Sequence, residues 1–469
     1  MRQPPPTRVS RTSPASAKWR ELDGDHLVAS AFGHWTWLAP GEWKNWIEGH
    51  VEEESELHER LKRGHLLRSH LTHPDLVDRM SSRRAFLRSG PSHHWIALTR
   101  RATTPTPLWT SPDEPGTDMP TETLERVLDT VFMTTSPQVE ITLGGGEPFL
   151  KPELIRHALA YAQRKNAIAR KTLTVVIETS LHRPEDSWAN LASDEGLLVR
   201  ITPASHRAED ADESAQLEWV RRLHGLQADQ GADLRDAGVE RIWLPDANAA
   251  KKPSARITRW LDAGVRAFQI GPLRALDDRI HVAAPTPPSL SAQVAFHGAV
   301  IDRLVHGDEG AFERTAATWI ARIRHGREPR HPLLRNPSAS GTGTLAYGCD
   351  GEVYSCRDGF LSALLGEEAF ELGSVHQDGY HDLVGHPTVR AMLMATSLEG
   401  QPGWSEHPYA SLCGTDPVEN FWRQGSLHGR MTDSPHAMIQ IGVLDHLFRL
   451  IRTPDEKRDA ALDAWGHRP

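Results

Sequence analysis

Cysteine is scarce in this chain: its 469 residues include three, Cys349, Cys356 and Cys413. Small secreted proteins that depend on disulfides carry many cysteines in even numbers, so that each can pair. An odd count of three in a chain of this length does not fit such a framework. We therefore expect a cytoplasmic protein whose core, rather than a set of disulfides, holds the fold together.

Long apolar runs and an excess of basic charge are missing as well. No stretch approaches the ~20 consecutive apolar residues of a membrane helix. The net charge of −9 and the pI near 6.3 give no reason to expect general affinity for nucleic acid or for an anionic membrane. Residues 1–18 are rich in proline, serine and arginine and contain no apolar segment, which does not fit a signal peptide. We expect residues 1–20 to form a disordered tail.

Several motifs that define enzyme classes are also absent. The sequence contains no Gly-x-Ser-x-Gly nucleophile elbow, no phosphate-binding P-loop and no His-Glu-x-x-His zinc motif. The mechanisms that depend on these motifs therefore have no support in the sequence. We name no catalytic residue and no metal ligand.

The most informative stretch is 139–150, which reads Val-Glu-Ile-Thr-Leu-Gly-Gly-Gly-Glu-Pro-Phe-Leu. Apolar and polar residues alternate at its start, as they do in a β-strand. Gly144, Gly145 and Gly146 have no Cβ atoms, so their backbone amides can approach a ligand closely. Glu147 then places a carboxylate at the carboxyl end of the strand, where α/β barrels build their sites. A glycine turn that merely links a strand to a helix would look similar.

The continuation Gly-Glu-Pro-Phe-Leu-Lys-Pro-Glu-Leu makes this stretch resemble the GGEP motif of radical SAM enzymes. In that family, the glutamate and the adjacent backbone hold the amino group of S-adenosylmethionine. The resemblance therefore implies a cofactor-binding site at Gly144, Gly145, Gly146, Glu147 and Pro148.

The same family carries three cysteines, spaced CxxxCxxC, in the loop after the first barrel strand. On that pattern the three positions fall on Ala102, Thr106 and Trp109. Iron–sulfur clusters of this kind are ligated by thiolates. Alanine has no ligand atom, a threonine hydroxyl is not ionised near neutral pH, and an indole offers only an N–H donor. We therefore expect no [4Fe–4S] cluster at the barrel site, and weak or no binding of S-adenosylmethionine.

Strand-like and helix-like segments alternate between residues 71 and 280, which predicts parallel strands joined by right-handed crossovers. The predicted strands are 95–99, 139–143, 173–178, 197–202, 242–244 and 267–270, and the predicted helices are 121–134, 151–166, 214–228 and 254–263. Six such units match the partial (β/α)6 barrel of the radical SAM fold. The strand ends at 202–206 and 270–273 are either pocket residues or ordinary loop starts. Two further helices are predicted at 291–306 and 309–325.

Residues 21–70 resemble a small winged-helix module. The segments 26–29 and 34–38 flank a short turn in a hairpin pattern, and helices are predicted to start at Pro40 and after Ser55. In peptide-modifying radical SAM systems, such modules bind the leader of the precursor peptide.

Four tryptophans of this module could form a contact surface for a peptide or a protein: Trp35, Trp37, Trp43 and Trp46. Exposed aromatic patches often mark interaction sites. The alternative is that these side chains fill the core of the module itself.

The C-terminal region resembles a SPASM domain, which binds auxiliary iron–sulfur clusters in peptide maturases. Segments 343–347 and 353–356 flank Asp350-Gly351, which is a strong hairpin signal. Most of the cluster ligands are again missing, because other residues stand where we align the family cysteines: Trp404, His407, Asp416 and Ala437. One hypothesis is a replacement zinc site with Cys356, Cys413, His407 and Asp416 as its four ligands. Alternatively, the cysteines are buried and act as small apolar residues.

The order of these pieces is similar to that in the B-type subunit of the His-Xaa-Ser system radical SAM maturase. The predicted fold is α/β: a winged-helix-like module (21–70), a partial (β/α)6 radical-SAM-type barrel (71–280), a helical linker region (281–335) and a SPASM-like domain (336–469). The resemblance implies a ribosomally made precursor peptide as substrate. Because the cluster ligands are missing, we expect a non-catalytic subunit that binds such a peptide or a partner maturase. The alternative is an active SAM-dependent peptide-modifying enzyme with non-standard metal ligation.

Overall fold

The structure is a computed structural model. It describes residues 13–468 except for 31, 73, 75–76, 79–80, 83, 104–105, 203–208, 230–237, 244–252, 272–273, 277–287, 308–309 and 328–330. Three parts of the predictions therefore lie outside the described residues: the tail up to residue 12 and the candidate pocket residues 203–206 and 272–273.

The N-terminal module is a three-stranded antiparallel sheet with two short helices. Its elements are β1 (Ala17–Leu22), β2 (Asp25–Ser30), β3 (Trp35–Leu38), α1 (Pro40–Ile47) and α2 (Glu56–Arg63). β2 lies in the middle and pairs with both β1 and β3. A small core of its own holds the module together: Val28, Leu38, Trp46, Val51, Leu61, Leu66 and Leu67. The predicted hairpin and both predicted helices are confirmed.

Local sequence signals fix the ends of these two helices. Pro40 occupies the first turn of α1, where its missing N–H costs no hydrogen bond. The Ser55 hydroxyl caps α2 by accepting a hydrogen bond from the His58 amide at 3.1 Å, and α2 ends at Gly64. Leu61 on the inner face of α2 is fully buried, so the capped helix is oriented by its apolar side.

The first strand corrects the prediction that residues 17–20 belong to a disordered tail. β1 pairs with β2 along its whole length, beginning with Ala17 opposite Ser30. The connecting turn is Asp23-Gly24, and both residues have positive φ, 54° and 83°. Asp-Gly between two strands is a strong hairpin signal, because this turn type needs left-handed backbone at both positions. That signal was present in the sequence, and the tail assignment overlooked it.

The rest of the chain is organised around one ten-stranded sheet. Its strands are β4 (His93–Thr99), β5 (Gln138–Gly145), β6 (Thr172–Thr179), β7 (Leu198–Ile201), β8 (Val239–Trp243), β9 (Ala267–Ile270), β10 (Phe312–Glu313), β11 (Thr344–Tyr347), β12 (Glu352–Tyr354) and β13 (Glu371–Ser374). β4 to β10 are parallel neighbours in chain order. All six predicted barrel strands are present.

Alternation along the barrel strands separates two environments. On β5, Val139, Ile141 and Leu143 pack in the main core beneath the outer helices. Glu140 and Thr142, between them, face the barrel interior. Successive side chains of a strand point to opposite faces, so the polar residues of this strand define the lining of the interior.

The outer layer consists of the crossover helices. They are α3 (Thr121–Phe132), α4 (Pro152–Ala169), α5 (Asp186–Asp194), α6 (Glu209–Asp229) and α7 (Pro253–Asp262). Four of them were predicted; α5 was not, because nine residues give too short a periodic pattern. Across the described stretches of the chain, no helix is both long and apolar enough to cross a membrane.

The segment 281–335, which we expected to be a helical linker, completes the barrel. It contributes α8 (Leu290–Val305), β10 and α9 (Arg314–His325), and β10 pairs in parallel with β9. The helix predicted at 309–325 is therefore too long at its start. Glu313 ends β10 and caps α9 by accepting a hydrogen bond from the Ala316 amide at 2.6 Å.

The C-terminal region joins the same sheet. β11 lies parallel to β4, with Ala346 opposite Trp95, and the predicted hairpin turn at Asp350-Gly351 leads into β12. Gly351 has a φ of 91°, a backbone conformation that residues with a Cβ rarely adopt, so this turn position favours glycine. The remaining helices are α10 (Arg357–Leu364), α11 (Tyr380–Val384), α12 (Pro387–Ala395), α13 (Pro417–Gln424), α14 (Pro435–Arg452) and α15 (Glu456–His467).

The N-terminal module is docked on α9 and α14. The Trp35 indole N–H donates to the carbonyl oxygen of Ile323 at 3.2 Å, and its ring meets the Phe448 ring edge-on at a centroid distance of 5.0 Å. Ion pairs surround this contact: Arg20–Asp445, Asp23–Arg449 and Asp25–Arg452. Leu22 and Leu27 of the module are buried in the main core, and an exposed ion pair such as Asp23–Arg449 contributes little, so apolar and aromatic packing carries most of the docking.

We expect Trp35→Ala to weaken the docking of the module by about 2–3 kcal/mol, because it removes a half-buried indole and its hydrogen bond. Limited proteolysis of the full chain, followed by mass spectrometry, should show faster release of the module. Asp23→Asn, which breaks an exposed ion pair, is the matched control and should leave the cleavage rate almost unchanged. Equal protection in Trp35→Ala and wild type would contradict this account of the docking.

Candidate functional site

The glycine stretch lies at the carboxyl end of β5, as the sequence predicts. Its backbone is paired with the loop that follows β4: the amide of Gly146 donates to the Thr99 carbonyl at 2.8 Å, and the amide of Glu147 donates to the Arg101 carbonyl at 2.7 Å. A Cβ added to Gly145 or Gly146 would overlap the same carbonyl oxygens. The Gly146 amide, one of the three that we expected to face a ligand, is thus hydrogen-bonded within the protein, and so is the neighbouring Glu147 amide.

Gly144 serves a different purpose, because the indole of Trp95 lies against it. A Cβ added at Gly144 would stand 2.8 Å from Nε1 of Trp95. The Trp95 ring packs next to Phe360, with centroids 5.3 Å apart, and Trp109 packs on the other part of Phe360 at 6.4 Å. These three rings, Trp95 of β4, Trp109 of the loop after β4 and Phe360 of α10, form a cluster that we call the aromatic plug.

The carboxylate of Glu147 is completely buried and hydrogen-bonded within the protein. Its Oε2 accepts from the Thr179 hydroxyl at 2.7 Å, and its Oε1 accepts from the Phe149 amide at 3.3 Å. Burial raises the pKa of Glu147 to about 7, although the hydrogen bonds from Thr179, Phe149 and Ser180 oppose the rise. The side chain therefore ties the end of β5 to the end of β6.

A cavity of about 900 Å³ occupies the barrel interior. Inward-facing residues of the strands line it, together with the segment before β11 and the start of α10. The five residues of the predicted cofactor site, Gly144, Gly145, Gly146, Glu147 and Pro148, are not part of its lining. Thr106 and Trp109 are, and so are Thr202 and Gly271 at the strand ends that we named as candidate pocket residues.

The cavity wall carries a compensated charge network. Arg200 of β7 lies between Glu140, at 3.3 Å, and Glu240, at 2.8 Å, and Arg314 also pairs with Glu240. Burial works against the charge on Glu240, but Arg314 and Arg200 lower its pKa to about 2. The carboxylates of this network are therefore ionised and matched by guanidinium groups at neutral pH.

A second charged group lies at the C-terminal side of the cavity. Arg357 pairs with Glu178 at 3.0 Å, and Arg274 pairs with Asp358. Asp416 lies beside them and caps α13 by accepting from the Val418 amide at 2.9 Å. Burial, followed by repulsion from Asp358 and Glu419, raises the pKa of Asp416 to about 7. Asp416 therefore titrates in the neutral range.

The zinc set considered from the sequence does not assemble. Cys356 and Asp416 both line the cavity, but His407 caps the turn before Tyr409, and Cys413 is buried in the main core. No three of the four residues Cys356, His407, Cys413 and Asp416 bring their ligand atoms within 4.8 Å of one another. Cys413 fits the alternative that we left open, in which a buried cysteine acts as a small apolar residue, whereas Cys349 and Cys356 are only partly buried.

A second candidate surface lies on the N-terminal module. Trp19 of β1 is 49% exposed, and its ring lies 4.7 Å from Trp43 and 5.3 Å from His26. Trp43 and His26 stack at 4.5 Å. Ile47, one turn beyond Trp43, is 50% exposed. We call Trp19, His26, Trp43 and Ile47 the aromatic patch.

This patch differs from the expected surface. Trp46 is in the module core and donates to the Leu66 carbonyl at 3.0 Å. Trp35 and Trp37 share one face of β3, but that face is turned towards α14, where Arg452 covers Trp37. Of the four tryptophans that we named, Trp43 alone belongs to the aromatic patch. Trp19 was missed because we assigned residues 17–20 to a disordered tail.

Comparison of the whole chain with known proteins identifies the fold. No family model and no curated protein matches the sequence. Native anSMEcpe with bound AdoMet has a TM-score of 0.60 at 12% identity, over 80% of this chain and 100% of that chain. Native anSMEcpe with bound AdoMet and Kp18Cys peptide gives 0.61 at 13% identity, over 80% and 99%. Streptococcus suis SuiB bound to precursor peptide SuiA gives 0.53 at 10% identity, over 89% and 98%.

These likenesses confirm the predicted fold class, an α/β fold in which helices cover a large, mainly parallel sheet. At 10–13% identity they show the fold and leave the activity to be argued from the site.

The loop after β4 does not offer the donor set that a [4Fe–4S] cluster needs. Ala102 has no ligand atom, the Thr106 hydroxyl accepts from the Leu108 and Trp109 amides at 3.2 Å, and Trp109 is part of the aromatic plug. Thiolates are the ligands of such clusters. The residues present at the three expected positions therefore do not fit a cluster.

The three cysteines do not supply the missing thiolates. The Cys349 thiol donates to the Ala97 carbonyl at 3.2 Å. Burial raises the pKa of the Cys349 and Cys356 thiols to about 12, and that of Cys413 well above its usual value. In the metal-free protein all three thiols are therefore protonated at neutral pH, and the three sulfur atoms do not lie within 4.8 Å of one another.

Sequence reasoning missed the charged residues of the cavity. The signal was present on β5, where Glu140 and Thr142 alternate with buried apolar residues. Alternation, however, does not predict which residues of other strands these polar side chains contact. Arg200, Arg314 and Arg357 lie on distant segments that the barrel brings together.

We expect Glu147→Gln to stabilise the protein at high pH. The folded pKa of about 7 lies above the unfolded value near 4.5, so the folded state holds this proton more tightly. The stability that this bound proton contributes is therefore fully present below pH 4.5, and it is lost as the pH rises through about 7. The shift corresponds to about 3 kcal/mol at pH 8. Denaturant unfolding of both proteins between pH 5 and pH 8 should show a difference that grows with pH.

Glu153→Gln on the exposed face of α4 is the control for loss of one negative charge. It should leave the stability close to wild type across the same range. A Glu147→Gln effect that does not change between pH 5 and pH 8 would show that the carboxyl group is not held in the buried, proton-binding state.

Proposed function

We propose that this chain is a radical SAM/SPASM-type homologue, similar to the B-type subunit of the His-Xaa-Ser system. In this proposal it binds a ribosomally made precursor peptide, or a partner maturase, and does not cleave S-adenosylmethionine. One observation carries the proposal: Ala102, Thr106 and Trp109 occupy the three positions where the family carries thiolates. Without those thiolates, the chain lacks the ligands for the cluster that reduces S-adenosylmethionine in the family.

The geometry around the glycine stretch also argues against tight binding of S-adenosylmethionine. The group that the family glutamate holds is an amine, which needs an acceptor, and both oxygens of the Glu147 carboxylate already accept hydrogen bonds, from Thr179 and from Phe149. The Glu147 carboxylate is buried, and its raised pKa reduces its negative charge at neutral pH. A single charge-assisted hydrogen bond contributes about 1.5–3 kcal/mol, which is a factor of about 10–150 in affinity. That contribution is too small to give micromolar binding by itself.

Binding of a peptide is supported by two features. Native anSMEcpe has been solved with Kp18Cys peptide, and SuiB with precursor peptide SuiA, on the same fold. The aromatic patch places a half-exposed Trp19 beside Trp43 and Ile47 on the N-terminal module. Exposed aromatic and aliphatic side chains in one place suit the apolar side chains of an extended peptide. The proposed leader site is therefore this patch.

We expect the protein to take up no [4Fe–4S] cluster at the barrel site and to bind S-adenosylmethionine no better than weakly. The reason is the donor set of the loop after β4, which contains no sulfur. Anaerobic reconstitution with iron and sulfide, followed by iron and acid-labile sulfide analysis, should give values far below one cluster per chain. Calorimetry with S-adenosylmethionine should then show no binding tighter than the high micromolar range.

The variant Thr106→Ala provides the control for iron that adheres elsewhere, and should match wild type. The proposal would be wrong if wild type reached one cluster per chain and Thr106→Ala lost it. Micromolar affinity for S-adenosylmethionine that disappears in Glu147→Gln would contradict it as well, by showing that the glycine site still binds the cofactor.

We expect Trp19→Ala, combined with Ile47→Ser, to weaken binding of the precursor peptide at least tenfold. Both side chains are about half exposed, so their loss should not unfold the module. Fluorescence anisotropy with labelled synthetic peptides, taken from short reading frames beside the gene, measures the affinity. Ile168→Ser on α4, which replaces another exposed isoleucine, is the matched control. Unchanged affinity in the double variant would exclude the patch as the leader site.

A further inference from the structure

The ends of α9 and α15 bring three metal-ligating side chains together. His325 is the last residue of α9, His467 is the last residue of α15, and Asp463 lies one turn before His467. One ligand atom of each residue lies within 4.8 Å of the other two. In the part of the chain that the structure describes, no other three His, Cys, Asp or Glu side chains are gathered this closely.

The distances in this cluster are near those of a tetrahedral metal site. Nε2 of His325 lies 3.4 Å from one Asp463 carboxylate oxygen, and Nε2 of His467 lies 3.7 Å from the other. Zinc binds imidazole nitrogen and carboxylate oxygen at ~2.0–2.1 Å, which places neighbouring ligand atoms about 3.3 Å apart in a tetrahedron. Both nitrogen–oxygen separations lie within about 0.4 Å of that value.

The packing of His325 leaves the Asp463 carboxylate, at 3.4 Å, as the polar group that its Nε2 faces. Its Nε2 is buried and forms no hydrogen bond with any described residue. The ring lies so close to α15 that a Cβ added at Gly466 would stand 2.7 Å from Nε2. Buried polar atoms are normally hydrogen-bonded or bound to a ligand. This nitrogen faces Asp463 and is stacked beside the His467 ring, with centroids 4.6 Å apart.

The electrostatic surroundings also favour a cation. Two helices, α9 and α15, both end at this point, so the negative ends of both helix dipoles point towards it. Two arginines lie nearby: Arg324 is paired with Asp459 at 2.7 Å, and Arg327 opposes binding directly, because it donates to Nδ1 of His467 at 3.3 Å and to the Gly466 carbonyl at 3.3 Å. When a metal binds Nε2 of His467, the ring proton lies on Nδ1, which then no longer accepts a hydrogen bond. Metal binding therefore breaks the contact between Arg327 and Nδ1 of His467.

We propose that His325, Asp463 and His467 form a zinc-binding site, with three protein ligands and water in the fourth position. Two imidazoles and one carboxylate suit zinc, whereas magnesium and calcium prefer sets made of oxygen alone. The site ties α15 to α9, next to the Arg324–Asp459 ion pair at 2.7 Å. Zinc binds the folded arrangement and therefore stabilises the attachment of the C-terminal helix.

The test is a calorimetric titration of the tag-free full chain with zinc chloride, after treatment with a chelator. We expect one saturable site per chain in the low-micromolar range and a rise in the thermal unfolding temperature with zinc. His467→Ala and Asp463→Asn should bind at least tenfold more weakly and lose the thermal shift. Both altered side chains are more than half exposed, so these variants should fold. Arg327→Ala should bind zinc at least as tightly as wild type.

His428→Ala removes an exposed histidine elsewhere and is the matched control for adventitious zinc. It should keep the affinity and the thermal shift of wild type. The proposal would be overturned if His467→Ala and Asp463→Asn kept wild-type affinity, or if wild type showed no saturable binding below about millimolar zinc. Equal binding of magnesium would also overturn it, because the site is assigned on its nitrogen ligands.

Discussion

The close approach of two backbone segments, 99–101 and 144–147, determines much of the rest of this structure. Gly146 and Glu147 donate to the Thr99 and Arg101 carbonyls, so the loop after β4 is fastened to the end of β5. The approach is possible because Gly145 and Gly146 have no Cβ. Once the loop is fastened, the Glu147 carboxylate lies beneath it. Glu147 there accepts a hydrogen bond from a residue of β6, so three strand ends are joined by one short segment.

The barrel interior is governed by a second constraint, the burial of charge. A buried carboxylate or guanidinium is costly unless it is paired, and breaking one partner leaves an uncompensated charge. Arg200 forms ion pairs with both Glu140 and Glu240, and Arg314 forms a second ion pair with Glu240. Such a network is not a strong source of stability, but it makes part of the barrel interior polar. Glu140, Arg200 and Arg314 line the cavity of about 900 Å³.

The sequence predicted what depends on local pattern. Alternation revealed all six barrel strands, Ser55 and Pro40 revealed the helix starts, and Asp350-Gly351 revealed the hairpin. Long-range packing was not predictable in this way. Nothing near Trp35 indicates that its face meets Phe448, and nothing near Gly146 indicates that its amide is already paired. A two-residue strand such as β10 is too short for any periodic signal. For the site, the motif and its position were predictable, and its hydrogen-bond partners were not.

The glycine motif can be explained without a cofactor. Any side chain at Gly145 or Gly146 would overlap a carbonyl oxygen of the loop after β4, and one at Gly144 would meet the Trp95 indole. These glycines are therefore required by the packing of this protein, whether or not S-adenosylmethionine binds. The same reasoning applies to Glu147, whose carboxyl group joins β5 to β6. A match to the motif thus carries information about fold, while the donor atoms at Ala102, Thr106 and Trp109 carry the information about chemistry.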